Sequence, residues 1–321
     1  MICPNCQYKN QDGDIVCRQC GTQLPPSSPR RSVLGSVGRA LCYYFLFVFV
    51  QSFVIGVYSG MLAASIMYPE MMAALENGST LDFLVAFESV YEHLYEKIHV
   101  LLILSALITV LIVFLSLRLR RKVPVTEVHL FPIAKRSVLP ALVLGAALQT
   151  FAVITISLLP IPTDTLNSFN ESSALLMNGP LWLELLSVVI VTPILEELIF
   201  RGLVFTRLRR GMSVFAATII SAIIFGWAHG HIISFIYAGV FGIVLTLVMQ
   251  RQNDSILAPI LMHAGFNGTS YLLGLLGEEI NTLLFLALYL VSIALIVFCG
   301  YLLLKKQDAD EHAPTDSTSL S

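Results

Sequence analysis

Charged side chains are scarce in this chain of 321 residues. They make up 12% of it, whereas hydrophobic residues make up 56%. A soluble domain carries about 25% charged residues, so the composition excludes an ordinary soluble protein and indicates one that lies in a lipid bilayer. An excess of basic residues is missing as well, since the net charge is −2. We therefore expect no nucleic-acid partner.

Two other features are absent. No cleavable signal peptide is recognisable, because the first apolar run begins near residue 40 and is too long for the apolar part of such a signal. We read it as a retained membrane helix. No internal repeat is visible either, which argues against a secondary transporter built from two related halves.

Long apolar segments dominate what is present. A helix that crosses a bilayer needs roughly 20 mostly apolar residues, and about eight segments meet this length. They are 40–66, 98–119, 138–160, 181–206, 213–229, 232–250, 255–276 and 282–304. The sequence thus predicts an all-α fold, a polytopic bundle of about eight transmembrane helices. Basic residues cluster at alternate ends of these segments, which predicts that both termini lie in the cytoplasm.

Four cysteines stand in the first part of the chain, namely Cys3, Cys6, Cys17 and Cys20. Two C-x2-C pairs are the spacing that places four thiolates around one tetrahedral Zn²⁺. Two disulfides are the alternative, but the cytoplasm keeps thiols reduced. A unit of this size has no core of its own, so the metal would supply its folding energy.

This cysteine segment resembles the short zinc ribbons that are often fused to bacterial membrane proteins, which implies a bacterial host. Partner docking, metal sensing and a purely structural role are all open for it. We expect a zinc ribbon, a linker rich in proline and serine, a membrane domain and a disordered polar tail. Their predicted boundaries are 1–23, 24–38, 39–306 and 307–321.

Three charged residues lie inside the apolar segment 181–206, namely Glu196, Glu197 and Arg201. A charge at mid-membrane is costly, so a chain keeps it only where it is paired, hydrated or functional. Glu197 and Arg201 are four residues apart and share a helix face, where an ion pair offsets much of the cost of burying both. Glu196 points about 100° away and is left free to face a cavity.

Two later spans use the same spacing of four residues. Phe225 and His229 share a face of the fifth span, and His263 and Asn267 share a face of the seventh. If these faces converge with Glu196, one pocket holds groups that can take a proton from water and stabilise a developing oxyanion. Taken singly, an interior histidine or asparagine often only joins helices by a hydrogen bond.

The motifs Glu196-Glu197-x-x-x-Arg201, Phe225-x-x-x-His229 and His263-x-x-x-Asn267 resemble, in this order, those of the CPBP family. These are intramembrane proteases related to CAAX prenyl endopeptidases and to bacteriocin-processing or immunity proteins. The resemblance covers about residues 180–270. It implies a helical membrane fold with a catalytic cavity open to the cytoplasm.

The resemblance also implies roles for the polar residues. Glu196 and His229 would activate the hydrolytic water. His263 and Asn267 would stabilise the oxyanion, while Glu197 and Arg201 would hold the site in shape. The substrate would be a peptide or a membrane protein. A non-catalytic membrane scaffold or immunity factor, with the ribbon recruiting a protein partner, is the alternative.

Use of a metal at this site stays open. Glu196, His229 and His263 would form a His2Glu zinc site with an open position for water. The H-E-x-x-H motif of many zinc proteases is absent, and Glu197 is engaged by Arg201, so no further carboxylate remains as a general base. We therefore favour a metal-free glutamate mechanism, with zinc only in the ribbon.

Overall fold

The structure is a computed structural model, and it describes most of the membrane domain but only single residues of the ribbon. The described residues are 5, 6, 8, 17, 19–22, 32–78, 80, 82–174, 177, 179–275 and 281–305. Cys3, most of the linker and the predicted tail lie outside them.

Ten helices and no β-strand make up the described part of the chain. In chain order they are α1 (Val33–Asn77), α2 (Phe83–Leu119), α3 (Pro124–Glu127), α4 (Lys135–Leu158), α5 (Thr163–Ala174), α6 (residues 181–208), α7 (Val214–Trp227), α8 (Ile232–Arg251), α9 (Leu257–Leu275) and α10 (Thr282–Leu304). The predicted all-α fold is confirmed. Because α1 begins at Val33, the helix extends into residues assigned to the linker.

Each of the eight predicted spans corresponds to one of these helices. Among the described residues, five helices are long and apolar enough to cross a membrane by length and composition, namely α1, α2, α4, α8 and α10. The number of actual crossings therefore stays a prediction.

The first two helices are much longer than a bilayer is thick. At 1.5 Å per residue, the 45 residues of α1 extend about 67 Å and the 37 of α2 about 55 Å, against a hydrocarbon core of about 30 Å. Helix α2 thus begins well before the predicted span 98–119. Gly78, with φ of 64°, ends α1, and the Asp82 side chain accepts from the first backbone N–H groups of α2.

The hydrogen-bond register changes along α6. Leu181–Glu184, Thr192–Glu197 and Thr206–Leu208 are α-helical, whereas Leu185–Val191 and Leu198–Phe205 are π-helical. Every residue from Glu197 to Leu208 is buried. Phe200 packs edge-on against Phe47 of α1 and Phe225 of α7, with ring centroids 5.7 Å and 5.0 Å apart. The second half of α6 is therefore the centre of the core.

Two glycines bring α4 and α9 into backbone contact. A Cβ at Gly145 would overlap the carbonyl oxygen of Met262, and a Cβ at Gly265 would overlap the carbonyl oxygen of Leu142. Only a residue without a side chain permits this approach. The contact fixes the position of α9 beside α4, and α9 carries two of the candidate site residues.

At one end of the bundle, ion pairs tie α6 to the connection between α2 and α4. Glu127 contacts Arg207 at 2.7 Å, Arg210 at 3.5 Å and Lys122 at 3.6 Å. Burial alone would raise the pKa of Glu127, but these three cations outweigh it and hold the pKa below its usual value. Arg209 pairs with Asp254 at 3.0 Å. We call this end of the bundle the basic end.

Candidate active site

Glu197 lies at the centre of the polar cluster and is completely buried. Its Oε1 is 3.0 Å from Nη1 of Arg201, which is 1% exposed, so the expected ion pair is present. The same oxygen lies 2.9 Å from Nδ1 of His263 in α9. A carboxylate oxygen accepts, so Nδ1 of His263 carries the hydrogen. Glu197 thus joins α6 to α9, a bond that the sequence did not predict.

The Arg201 guanidinium is also held from the side. It lies over the Phe225 ring, with Cζ 4.1 Å from the ring centroid, in a cation–π contact. A Cβ at Gly242 of α8 would lie 3.1 Å from Nη2 of Arg201 and 3.2 Å from the Phe225 ring. Glycine at this position therefore leaves the room that the arginine occupies.

The neighbouring carboxylate, Glu196, has a different environment. Its side chain is 15% exposed, and its Oε2 lies 3.8 Å from Nε2 of His263. This separation is too long for a hydrogen bond. Oε2 has no hydrogen-bond partner in the described part of the chain. Glu196 is therefore not part of the Glu197–Arg201 ion pair, as the helical geometry predicted.

His229 does not lie on a helix, which corrects the prediction that the fifth span runs to residue 229. Helix α7 ends at Trp227, and His229 stands in the following turn, where Gly230 takes φ of 72°. With 14 residues, about 21 Å, α7 is short for a bilayer. Nδ1 of His229 donates to the Phe225 carbonyl at 2.8 Å, which leaves the Nε2 lone pair for another partner.

Asn267 is engaged by the backbone of α6. Its Nδ2 donates to the carbonyl oxygen of Val188 at 2.8 Å. In this π-helical stretch the N–H of Thr192 bonds the carbonyl five residues earlier, at Ser187. The same register would pair the Val188 carbonyl with residue 193, which is proline and has no N–H. Asn267 supplies the missing donor, and one of its N–H groups remains.

Two polar residues of this region were not identified from the sequence as site residues. His99 of α2 is fully buried, and its Nδ1 lies 2.7 Å from Oγ of Ser187, next to the carbonyl that Asn267 binds. Tyr237 of α8 stacks on Phe266, the residue before Asn267. The only signal was that polar side chains inside apolar segments usually have a partner or a function.

The ribbon cysteines described by the structure converge. The sulfur atoms of Cys6, Cys17 and Cys20 all lie within 4.8 Å of one another. Gly21, with φ of 71°, makes the turn that follows, and its N–H bonds the Cys17 carbonyl. Three thiolates at this spacing fit a structural zinc ion, and predicted Cys3 lies outside the described residues.

A metal at the membrane site fits less well. Both imidazoles bind an oxygen through Nδ1 and present Nε2, as metal-bound histidines do. Within the described ranges, however, the ribbon cysteines are the only three such donors that come within 4.8 Å of one another. The donor chemistry of Glu196, His229 and His263 suits zinc, but their spacing does not.

Comparison with known protein families gives two matches. Residues 178–269 match the family described as Type II CAAX prenyl endopeptidase Rce1-like. This segment contains Glu196, Glu197, Arg201, His229, His263 and Asn267, but not His99. Residues 2–24 match a zinc-ribbon domain. The search of curated proteins and the search of solved structures found no match.

Proposed function

We propose that this multi-pass membrane protein is an intramembrane endopeptidase in which Glu196 activates the hydrolytic water. The match of residues 178–269 to the Rce1-like CAAX prenyl endopeptidases supports this proposal. One observation carries this proposal. Of two adjacent carboxylates inside the bundle, Glu197 accepts hydrogen bonds at Oε1 from Arg201 and His263. Glu196 lies outside this ion pair, with its Oε2 3.8 Å from Nε2 of His263 and without a hydrogen-bond partner among the described residues.

The first step would be attack of water on the peptide carbonyl. Glu196 takes one proton from the water, and Nε2 of His229 orients the water by accepting its other hydrogen. The oxygen of the water bonds to the carbonyl carbon, and the carbonyl oxygen becomes an oxyanion. The C–N bond then breaks, and Glu196 returns its proton to the leaving amine.

The oxyanion would be stabilised from α9. The second N–H of Asn267 is available, since the first is held by Val188. His263 can donate from Nε2 only when it carries a second proton, because its first hydrogen is directed at Glu197. In this scheme Glu197 and Arg201 hold the donors in place rather than contact the substrate.

A zinc-dependent version of the same protease is the second candidate, because the Nε2 lone pairs suit a metal. Deletion of residues 1–23 separates the two versions, since it removes the ribbon cysteines. We expect the truncated protein to cleave at the rate of the full chain and to contain no zinc by elemental analysis. Stoichiometric zinc in the truncated, active protein would favour the metal version.

A non-catalytic scaffold or immunity factor is supported by the interhelical bonds from Asn267 to Val188 and from His263 to Glu197. The deciding experiment compares cellular peptides between strains that carry wild type and Glu196→Gln. We expect uncleaved precursors to accumulate in the variant. Glu184→Gln on the same helix is the matched control and should behave as wild type. Identical peptide profiles in all three strains would support the scaffold.

We further propose that the basic end faces the cytoplasm, because positively charged segments stay on that side. Both termini would then be cytoplasmic, and so would the ribbon, where its thiols stay reduced. Its zinc would be structural, and a protein partner could dock on it.

A further inference from the structure

A buried histidine that the proposed reaction does not use lies on α2. His99 is outside the segment 178–269 that matches the protease family. It is completely buried, as is Ser187 of α6, and its Nδ1 lies 2.7 Å from Oγ of that serine. A polar side chain inside an apolar membrane segment is costly to keep, so His99 calls for a functional explanation.

The direction of the bond between His99 and Ser187 follows from its surroundings. A backbone carbonyl can only accept, so the single hydrogen of the Ser187 hydroxyl goes to the carbonyl of Glu184 at 3.1 Å. The hydroxyl then accepts from Nδ1 of His99. The backbone of Gly179 lies against the imidazole, since a Cβ there would be 3.0 Å from Cδ2 of His99. The ring is thus held in an orientation in which it donates to Ser187.

Ser187 belongs to the π-helical stretch Leu185–Val191 and is the one buried residue of that stretch. Short π-helical segments are rare, and they occur frequently at functional sites. In this register the N–H of Thr192 bonds the Ser187 carbonyl, five residues earlier. In an α-helix the same N–H would bond the carbonyl four residues earlier, at Val188. The π-helical register therefore leaves the Val188 carbonyl to Asn267, which donates to it at 2.8 Å.

Side chains from two different helices hold this stretch. His99 of α2 binds the side chain of Ser187, and Asn267 of α9 binds the carbonyl of the next residue, Val188. A return to the α-helical register would turn the residues before the stretch by about 100° relative to those after it, because each residue of an α-helix adds that angle. The bond to His99 opposes this rotation, since it fixes the buried side chain of the stretch against α2.

We propose that His99 is a positioning residue for the oxyanion site. It holds the π-helical register of α6, and this register leaves the Val188 carbonyl to Asn267. The bond to that carbonyl in turn directs the second N–H of Asn267 toward the oxyanion. This inference rests on the proposed protease function and adds to it a residue of α2 that acts through α6 without contact with the substrate.

Nuclear magnetic resonance tests this coupling without any need for catalysis. In protein labelled with isotopic asparagine, the side-chain amide signal of Asn267 is the one that Asn267→Leu removes. We expect His99→Leu and Ser187→Ala to shift this signal and Thr109→Val to leave it in place. Thr109 is the matched control, because it is completely buried in α2 and its hydroxyl bonds the Ser105 carbonyl of the same helix. An unchanged signal in either variant, or an equal shift in the control, would overturn the proposal.

The cleavage of a precursor that accumulates with Glu196→Gln measures the consequence for the reaction. We expect His99→Leu to lower kcat about 10- to 100-fold with KM little changed, because a displaced oxyanion donor weakens binding of the transition state rather than of the substrate. His99→Asn keeps a donor at the position of Nδ1 and should restore most of the rate. A wild-type kcat in His99→Leu, or an equal loss in His99→Asn, would contradict the proposal.

The double variant of His99→Leu and Asn267→Leu decides whether His99 acts through Asn267. We expect it to cleave no more slowly than Asn267→Leu alone, because the donor that His99 positions is already absent. Losses that multiply would mean independent effects and would overturn the proposal. If His99→Leu does not fold, Ser187→Ala takes its place, since it removes the acceptor of the same bond. An absence of cleavage by the wild type would instead count against the protease function, and the Asn267 signal would still test the role of His99.

Discussion

The two halves of α6 show how one helix separates stability from chemistry. From Glu197 onward it is buried on all sides, and Glu197 pairs with both Arg201 and His263. Before Glu197 it is partly exposed, and Oε2 of Glu196 has no hydrogen-bond partner among the described residues. The boundary falls between two adjacent glutamates, so the same side chain is held in an ion pair at one position and lies outside that pair at the next.

The largest effect should come from breaking the buried pair. Arg201→Met leaves the Glu197 carboxylate buried without a cation, and removal of one partner of such a pair costs about 3–5 kcal/mol. We expect a large drop in the Tm of the purified protein in detergent. The control is Arg209→Met, which breaks a partly exposed pair and should cost about 1 kcal/mol or less. Equal losses of Tm in the two variants would contradict a larger contribution from the buried pair.

Asn267 combines the two properties, because it bonds the backbone of α6 and is also proposed to stabilise the oxyanion. In Asn267→Leu the Val188 carbonyl loses its donor, at a cost of about 1–3 kcal/mol, and cleavage should fall about 100- to 1,000-fold if the second N–H stabilises the oxyanion. Gln149→Leu is matched, since Gln149 Nε2 bonds Ser270 one turn along α9. It should lower the Tm without slowing cleavage. A similar loss of cleavage in both variants would assign Asn267 a structural role only.

A substitution that fills the space beside Arg201 should have a smaller effect on stability. Gly242→Ala introduces a Cβ at 3.1 Å from Nη2 of Arg201, so the guanidinium must shift, and we expect a destabilisation of about 1–3 kcal/mol. Gly56→Ala in α1 is the control, because nothing lies within 4 Å of the added atom. It should leave the Tm unchanged or raise it slightly. A change of Tm in the same direction in both variants would count against close packing of Gly242 against Arg201.

The smallest effect concerns the basic end. Burial and the Arg209 charge lower the pKa of His129 from 6.5 to about 4. The folded state therefore binds fewer protons than the unfolded state between these values, and stability should fall as the pH falls from 6.5 to 4. His129→Asn suits the local φ of 60° and should flatten this dependence of Tm on pH. If the Tm of wild type and variant depended on pH in the same way, the assignment of this effect to His129 would be contradicted.

Local relations along the chain were predictable from sequence. The spacing of four residues was enough to place Arg201 beside Glu197 and to turn Glu196 elsewhere, because helix geometry alone sets that relation. Apolar length located eight of the ten helices and missed α3 and α5.

Relations between distant segments were not predictable. The bond from His263 to Glu197 joins residues 66 positions apart, and that from His99 to Ser187 joins residues 88 positions apart. No spacing along the sequence predicts such bonds. The π-helical register of α6 leaves no periodic signature, although Pro193 marks where a carbonyl loses its donor. Asn267 was therefore placed in the site while its bond to Val188 was missed.

The most direct test compares the variants Glu196→Gln and Glu197→Gln, purified separately by the same procedure. The cleavage rate and the Tm are measured for each. We predict that Glu196→Gln slows cleavage by at least about 100-fold and keeps the wild-type Tm, whereas Glu197→Gln lowers the Tm. Ordinary cleavage by Glu196→Gln would contradict the account.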